Sequence, residues 1–269
     1  MTREFDFYIV PTPIGNLQDI TLRAIEVLKS VDLIACEDTR TTQKLLNHYN
    51  IKTKCISYHK YNEQERVNFF LKELSEGKKI ALVSDAGTPM ICDPGGVIVK
   101  ELIAHNYSIT SLPGACAVTT FLSQIPRTDE EFTFIGFIPR TEGQIKTLLQ
   151  EHAGENIVFY DSPERIIKTL KILKDSLGNI QIALGRELSK LFEEVIVDNI
   201  DNIIDHFKDG IKGEIVCMIY ANNDKDSTEL YTKIKALKSK KYSDKDISVI
   251  LSTLYNCNKN DIYKLSLTL

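Results

Sequence analysis

Short, unbroken apolar runs recur along the first half of the chain, separated by stretches of mixed polarity. Phe7–Val10, Asp32–Cys36 and Ile80–Val83 are apolar or nearly so and too short for buried helices, and Cys55–Tyr58 and Ile109–Leu112 are strand-like as well. Each predicts a strand covered on both faces. Between them, Leu22, Ile25 and Leu28 follow the helical period behind Thr21, a capping residue type. Glu37–Thr41 opens a second helix through Leu45 and Leu46, and Asn62–Leu74 predicts a third. A fourth follows Pro94, with Asp93 and Pro94 expected at its N-cap and first position. This β-α-β-α alternation predicts a largely parallel sheet with helices on both faces. In such sheets ligands sit at the carboxyl ends of the strands.

Gln124–Glu131 breaks the pattern and reads as a linker. Beyond it, residues 133–137, 156–160, 180–184, 193–197 and 214–220 are strand-like, with a helix predicted over Pro163–Leu173. More strands per residue predict a mixed α/β domain. The tail differs again. Thr228–Lys238 is amphipathic and basic, Ser243 with Asp246 resembles a capping box, and Asp244–Leu254 is helical. Asn256–Asn258 forms a turn and Asp261–Leu265 starts a last helix, giving a helix-turn-helix-like module. The expected domains are 1–125, 132–222 and 225–269, without internal repeats.

Composition narrows the field. Six cysteines show no C-x-x-C pairing, and no histidine pair has metal-ligand spacing, so reduced, buried thiols and no metal are expected. No apolar run reaches membrane-spanning length, and the acidic start resembles no signal peptide, so the protein is expected in the cytoplasm without a membrane partner. A net charge of −4 argues against a generic nucleic-acid binder. From Lys225 onward, however, nine lysines face five acids. That asymmetry fits either an anionic partner or a solvated helical surface.

Three loops rich in small residues follow three of the predicted strands: Pro11–Gly15, Asp85–Pro89 and Pro113–Ala117. Small residues let a ligand approach backbone, and three such loops at one sheet edge make a cleft floor. Neither G-x-G-x-x-G nor a G-K-[ST] phosphate loop occurs, which argues against a standard dinucleotide or nucleoside-triphosphate site.

The ordered strings Val10-Pro-Thr-Pro-Ile-Gly-Asn-Leu17, Cys36-Glu-Asp-Thr-Arg40, Ser84-Asp-Ala-Gly-Thr-Pro89, Phe159-Tyr-Asp-Ser-Pro163, Gly185-Arg-Glu-Leu-Ser-Lys190 and Lys212-Gly-Glu214 resemble the 16S ribosomal RNA (cytidine 2′-O)-methyltransferase family, of the tetrapyrrole-methylase-like fold. The resemblance spans essentially the whole chain. Cys92 stands where serine is usual, and Asp161 and Glu164 replace a commoner glutamate and histidine. The resemblance implies two α/β domains with S-adenosylmethionine in the cleft between them, a small C-terminal helical module, and a homodimer. It implies methylation of a cytidine ribose 2′-hydroxyl in the decoding region of 16S rRNA, on free rRNA or the small subunit. Cofactor contacts would come from Ile14, Asp85, Ala86, Gly87, Thr88, Ile91, Cys116, Ala117, Tyr160 and Leu188.

Methyl transfer from a sulfonium is an in-line displacement that rests largely on alignment, with a base to take the hydroxyl proton. Candidates for that catalytic role are Glu37, Asp38 and His59, although acids beside a helix start also simply stabilise it. Arg40, Arg140, Arg186 and Lys190 are candidates for RNA phosphate, and the tail lysines for positioning RNA. Two other readings stand beside this one: a tetrapyrrole C-methylase of the same fold, and a non-catalytic ribosome-assembly factor. A hydrolase is disfavoured because no nucleophile elbow is present.

Overall fold

The computed structural model describes residues 4–127, 131–221, 233–255 and 259–267. Five strands, β1 (Phe7–Ile9), β2 (Leu33–Cys36), β3 (Lys54–Ser57), β4 (Ile80–Val83) and β5 (Ile109–Ser111), form a sheet in the order β3-β2-β4-β1-β5. The pairs described are parallel. The helices are α1 (Leu22–Ser30), α2 (Thr39–His48), α3 (Glu63–Ser75), α4 (Gly96–Ala104) and α5 (Ala117–Leu122).

The unbroken apolar runs are explained by two cores. Tyr8, Ile34, Cys36, Ala81 and Val83 face a cluster with Ala24 and Leu28 of α1 and Leu46 of α2. Their strand neighbours Phe7, Ile9, Leu33, Ala35, Ile80 and Leu82 face Val67 and Phe70 of α3 and Ile98 and Leu102 of α4. Each residue of β1, β2 and β4 is thus buried on one side or the other, whereas the edge strands β3 and β5 are half-buried, with Lys54 and Ser111 exposed.

A second sheet runs β6-β7-β10-β8-β9, from β6 (Thr133–Phe137), β7 (Ile157–Asp161), β8 (Gln181–Arg186), β9 (Glu194–Asn199) and β10 (Ile215–Ile219). Strands β8 and β9 are antiparallel, so this sheet has the mixed character expected. Helix α6 is Glu142–Glu151, α7 is Ile166–Leu177 and α8 is Ile200–His206. The chain divides into two compact units: Met1–Glu130 with Phe134–Ile138 and Val158–Met218, and Glu131–Thr133 with Pro139–Ile157 and Ile219–Leu269. The first carries both sheets apart from one end residue each of β6, β7 and β10.

In the second unit, helix α9 is described over 233–239, followed by α10 (Asp244–Tyr255) and α11 (Lys259–Leu267). Ile234, Ile247, Leu251 and Ile262 form its small core. The serine half of the capping box is present: Ser243 Oγ accepts from the Asp246 N–H at 3.2 Å, while the Asp246 carboxylate accepts from the Ser243 hydroxyl at 2.5 Å and not from its N–H. The predicted turn at Asn256–Asn258 and the start of the basic segment before 233 lie outside the described residues, as do 128–130 of the predicted linker.

Three expectations are corrected. Asp93 and Pro94 do not start α4. Gly95 is its N-cap, at φ 143°, and its N–H is satisfied by Glu63 Oε1 at 2.9 Å. A partner more than thirty residues upstream replaces the local cap, which leaves the Asp93 side chain free to line a cavity. Helix α7 starts at Ile166, because the N–H groups of Arg165 and Ile166 both turn back to the Ser162 carbonyl. The cysteines described are free thiols, but only Cys36 and Cys217 are buried, and Cys92 is exposed on its loop.

Candidate active site

The loops after β1, β4 and β5 are tied into one surface. Thr12 and Gly87 exchange backbone hydrogen bonds at 2.9 and 3.0 Å, and the Thr12 hydroxyl donates to the Ser84 carbonyl at 3.1 Å. Thr88 Oγ1 donates to the Ala115 carbonyl at 2.9 Å. Gly87 sits at φ 79°, a region natural to glycine. Gly114 lies so close to Pro11 that a Cβ there would stand 2.5 Å from the ring. These contacts explain the glycines and small residues as close packing of loop on loop.

Above that floor the second sheet contributes Phe137 of β6, Tyr160–Pro163 at the end of β7, Leu188 after β8, and Glu214–Val216 at β10. Together they enclose a cavity of about 370 Å³, within the range of small-ligand sites. Ile14, Asp85, Ala86, Gly87, Thr88, Ile91, Cys116, Ala117, Tyr160 and Leu188 all line it. Sequence reasoning missed Cys92, Asp93, Phe137, Asp161, Ser162, Pro163, Glu214, Ile215 and Val216 as lining residues. Asp161, Ser162, Pro163 and Glu214 lay inside strings that had been singled out; Phe137 carried no signal.

A clasp holds Leu188 in place. Glu187 and Ser189 flank it at φ 49° and 65°, unusual for non-glycine residues. Lys190 Nζ bridges Glu187 at 2.8 Å and Glu214 at 3.0 Å, and Glu187 Oε1 accepts from the Glu214 N–H at 3.1 Å. Ser189 Oγ bonds Asp19, in the turn after the first loop. The backbone of Gly15 runs against this segment, where a Cβ would stand 2.8 Å from the Leu188 carbonyl oxygen.

Acidic groups gather at the rim. The backbone N–H of Asp38 donates to Asp85 Oδ1 at 3.1 Å. Glu37 is half-buried, and its carboxyl is pushed up first by desolvation and then by the charges of Asp85 and Asp93, with His59 acting in the opposite sense. Asp85 and Asp93 are pushed up as well, each chiefly by desolvation. Asp38 is the opposite case. It caps α2, accepting from the Arg40 N–H at 2.8 Å, and grips the Arg40 guanidinium at 3.1 and 2.6 Å. Those bonds hold its carboxyl down at about 2. Burial within the cavity wall raises the Tyr160 phenol. Glu37, Asp38 and His59 do not line the cavity itself.

The basic candidates are engaged or elsewhere. Arg40 pairs with Asp38 and Lys190 with two glutamates. Arg186 Nε meets Glu194 at 2.7 Å across the β8–β9 pair, with its guanidinium over the Phe207 ring. Arg140 is exposed and belongs to the second compact unit. Among the described residues no metal-ligand cluster occurs, and no helix is long and apolar enough to cross a membrane.

Residues 6–204 match the family Tetrapyrrole (Corrin/Porphyrin) Methylases. Relatives named "Ribosomal RNA small subunit methyltransferase I" include those of Mycoplasmopsis pulmonis, 43% identical over 79% of this chain and 96% of theirs, and Vibrio cholerae, 39% identical over 96% and 92%. Among solved structures the chain is similar to diphthine synthase, with TM-score 0.63, 13% identity, and 80% and 89% of the two chains covered. It is also similar to uroporphyrin-III-C-methyltransferase from Thermus thermophilus, with TM-score 0.58, 15% identity, and 80% and 94% covered. At such identities these structures speak for the fold. With sequence strings, fold and relatives in agreement, the chain belongs to the ribosomal RNA small subunit methyltransferase I family, built on the tetrapyrrole methylase fold.

Proposed function

We propose that this protein methylates the ribose 2′-hydroxyl of a cytidine in the decoding region of small-subunit rRNA, using S-adenosylmethionine, as a cytoplasmic homodimer. The observation that carries this reading is the cavity in which loops of both sheets meet. Its walls suit the cofactor: Ile14, Ile91, Leu188 and Val216 offer apolar faces, and the Gly87 and Gly114 loops expose backbone. Asp85 and Asp93 offer negative charge to a cation. When bound, S-adenosylmethionine supplies an electrophilic sulfonium methyl group.

Glu37 is our candidate for the group that takes the hydroxyl proton. Desolvation, and then the charges of Asp85 and Asp93, raise its proton affinity, the direction a general base needs. Asp38 is spent on the helix cap and Arg40, and a carboxyl held at about 2 is a poor base, so its role is to position Glu37. His59 interacts with the Glu37 charge and would tune it. For Arg40, Arg186 or Lys190 to bind RNA phosphate, each would exchange a carboxylate partner, a choice that Arg140 does not face in the same way. The tail lysines would add a salt-sensitive contact with phosphate. Deleting 225–269 should then flatten the salt dependence of RNA binding.

The deciding experiment incubates the protein with labelled S-adenosylmethionine and unmodified small subunits, followed by nuclease digestion and mass spectrometry. A single 2′-O-methylcytidine in the decoding region is expected. Cofactor binding without ribose methylation would redirect the search to other acceptors, tetrapyrroles first.

A further inference from the structure

The tyrosine at position 61 is 95% exposed, the most exposed large hydrophobic side chain among the described residues. It contributes no core packing, and its ring contact is edge-on with His59, centroids 6.1 Å apart. The loop beneath it is nevertheless well fixed. The His59 N–H donates to Asn62 Oδ1 at 2.8 Å, Asn62 Nδ2 donates to the Ser57 carbonyl at 3.2 Å, and the Asn62 N–H to the His59 carbonyl at 2.9 Å. An aromatic ring without a folding task is therefore displayed on a preorganised turn.

The turn stands at the carboxyl end of β3, beside the loop after β2. The Tyr58 N–H donates to the Cys36 carbonyl at 2.8 Å, which sets His59–Tyr61 next to Glu37. Glu37 leads through Asp85 to the cavity. Tyr61 thus occupies the rim on the side of the proposed base, where an acceptor hydroxyl must arrive.

The charges there differ from those around the rest of the rim. Arg40, Arg186 and Lys190 are all neutralised by carboxylates. Among the described residues Lys60 and Arg66 have no carboxylate within ion-pair distance, and Arg66 Nε is buried without an acceptor. Arg66 lies three residues after Glu63, on the same face of α3, and Glu63 holds the loop that carries Asp93. An exposed ring with an unpaired lysine next to it in the chain is the pattern that holds single strands, the ring stacking on a base and the cation following phosphate.

We propose that Tyr61, with Lys60 and Arg66, is the platform that holds single-stranded RNA beside the acceptor nucleotide. This rests on the reading of the protein as an rRNA methyltransferase. The test measures the KM for unmodified small subunits, the dissociation constant for S-adenosylmethionine, and fluorescence anisotropy of a labelled single-stranded RNA. Wild type is compared with Tyr61→Ala, Tyr61→Phe and Lys60→Gln. Tyr61→Ala should raise the KM and weaken RNA binding by about 5- to 150-fold, the worth of one stacked base. Tyr61→Phe should stay near wild type, because stacking needs the ring and not the hydroxyl. Lys60→Gln should lower the salt slope of RNA binding by about 0.7, one phosphate contact on a single strand. Cofactor affinity should not change in any variant. Wild-type KM and RNA affinity in Tyr61→Ala, or a loss in Tyr61→Phe equal to that in Tyr61→Ala, overturns the platform. If wild type methylates no small subunits, the underlying reading fails, while the anisotropy comparison still decides the platform.

Discussion

Gly213→Ala separates the two reasons a glycine is needed in the clasp. Gly213 has φ 95°, and a Cβ there would stand 2.2 Å from Glu187 Cγ and 2.4 Å from its Cδ. The left-handed backbone costs a residue with a side chain about 1–2 kcal/mol. Overpacking costs about 1–3 kcal/mol more. Glu187 cannot step aside cheaply, because its carboxylate is bound to Lys190 and to the Glu214 N–H. The combined loss of about 2–5 kcal/mol would lower the melting temperature by about 4–20 °C at this chain length. Gly77→Ala is the internal control: φ is 81°, but nothing lies within 4 Å of its Cβ, so only the backbone cost of about 1–2 kcal/mol applies. Thermal unfolding of both variants by circular dichroism, with cofactor binding by calorimetry, reads the difference. Gly213→Ala melting no lower than Gly77→Ala would refute the packing account of the clasp.

Glu37→Gln tests the base. Because the Glu37 pKa is raised, methyl transfer in wild type should climb with pH above the ordinary carboxylate range, and Glu37→Gln should lose that limb of the rate profile. The same shift makes the folded state hold its proton longer than the unfolded one. Stability therefore falls as pH rises from the ordinary glutamate value through the raised one, and urea titrations of Glu37→Gln should show a shallower fall. Asp161→Ala should cost about 1–3 kcal/mol in urea unfolding, since it leaves the buried Thr169 hydroxyl, 2.6 Å away, without its acceptor and removes the ion pair to Arg165 at 2.7 Å, while Arg165 keeps the Ile138 carbonyl at 3.0 Å. Gly114→Ala drives a methyl into the Pro11 ring, and calorimetry should show cofactor affinity falling by about 5- to 150-fold if the strain of about 1–3 kcal/mol is borne by the loops. Thr21→Ala removes the 3.0 Å cap to the Ala24 N–H and should cost about 1 kcal/mol of stability, with cofactor affinity unchanged.

The central strands of the first sheet were legible because double burial leaves no polar position within β1, β2 and β4, which are wholly buried. The small-residue loops were legible for a related reason: backbone packed on backbone excludes side chains, as at Gly114 and Pro11. What could not be read depended on distant partners. Asp93-Pro94 has the local chemistry of a helix start, but the chain enters α4 through Gly95, whose N–H is held by the distant Glu63, and the helix starts at Gly96. Arg186 looked available until the strand register set Glu194 opposite it. The sequence offered Asp38 and Glu37 as equals, and only the hydrogen bonds of Arg40 set them apart. Lys60-Tyr61 stood out in the sequence only as a departure from the family pattern between His59 and Asn62, since exposure of a single ring is decided by how its turn is anchored.

The placement of β1 between β4 and β5 has a consequence on the ribosome that makes this protein. Phe7–Ile9 pairs with both Ile80–Leu82 and Ile109–Ser111, so the first strand synthesised is completed only by one about 100 residues later. At ordinary elongation rates that gap is about 5–20 s. For about the first 70 residues of it the apolar segment Phe7–Val10 has no strand partner and β2 and β3 pair without β4, the strand that joins them to β1; after that one edge of β1 stays open until β5 is made. Synthesis speed across residues 10–112, and any chaperone that shelters the Phe7–Val10 segment meanwhile, therefore bear on the yield of folded enzyme.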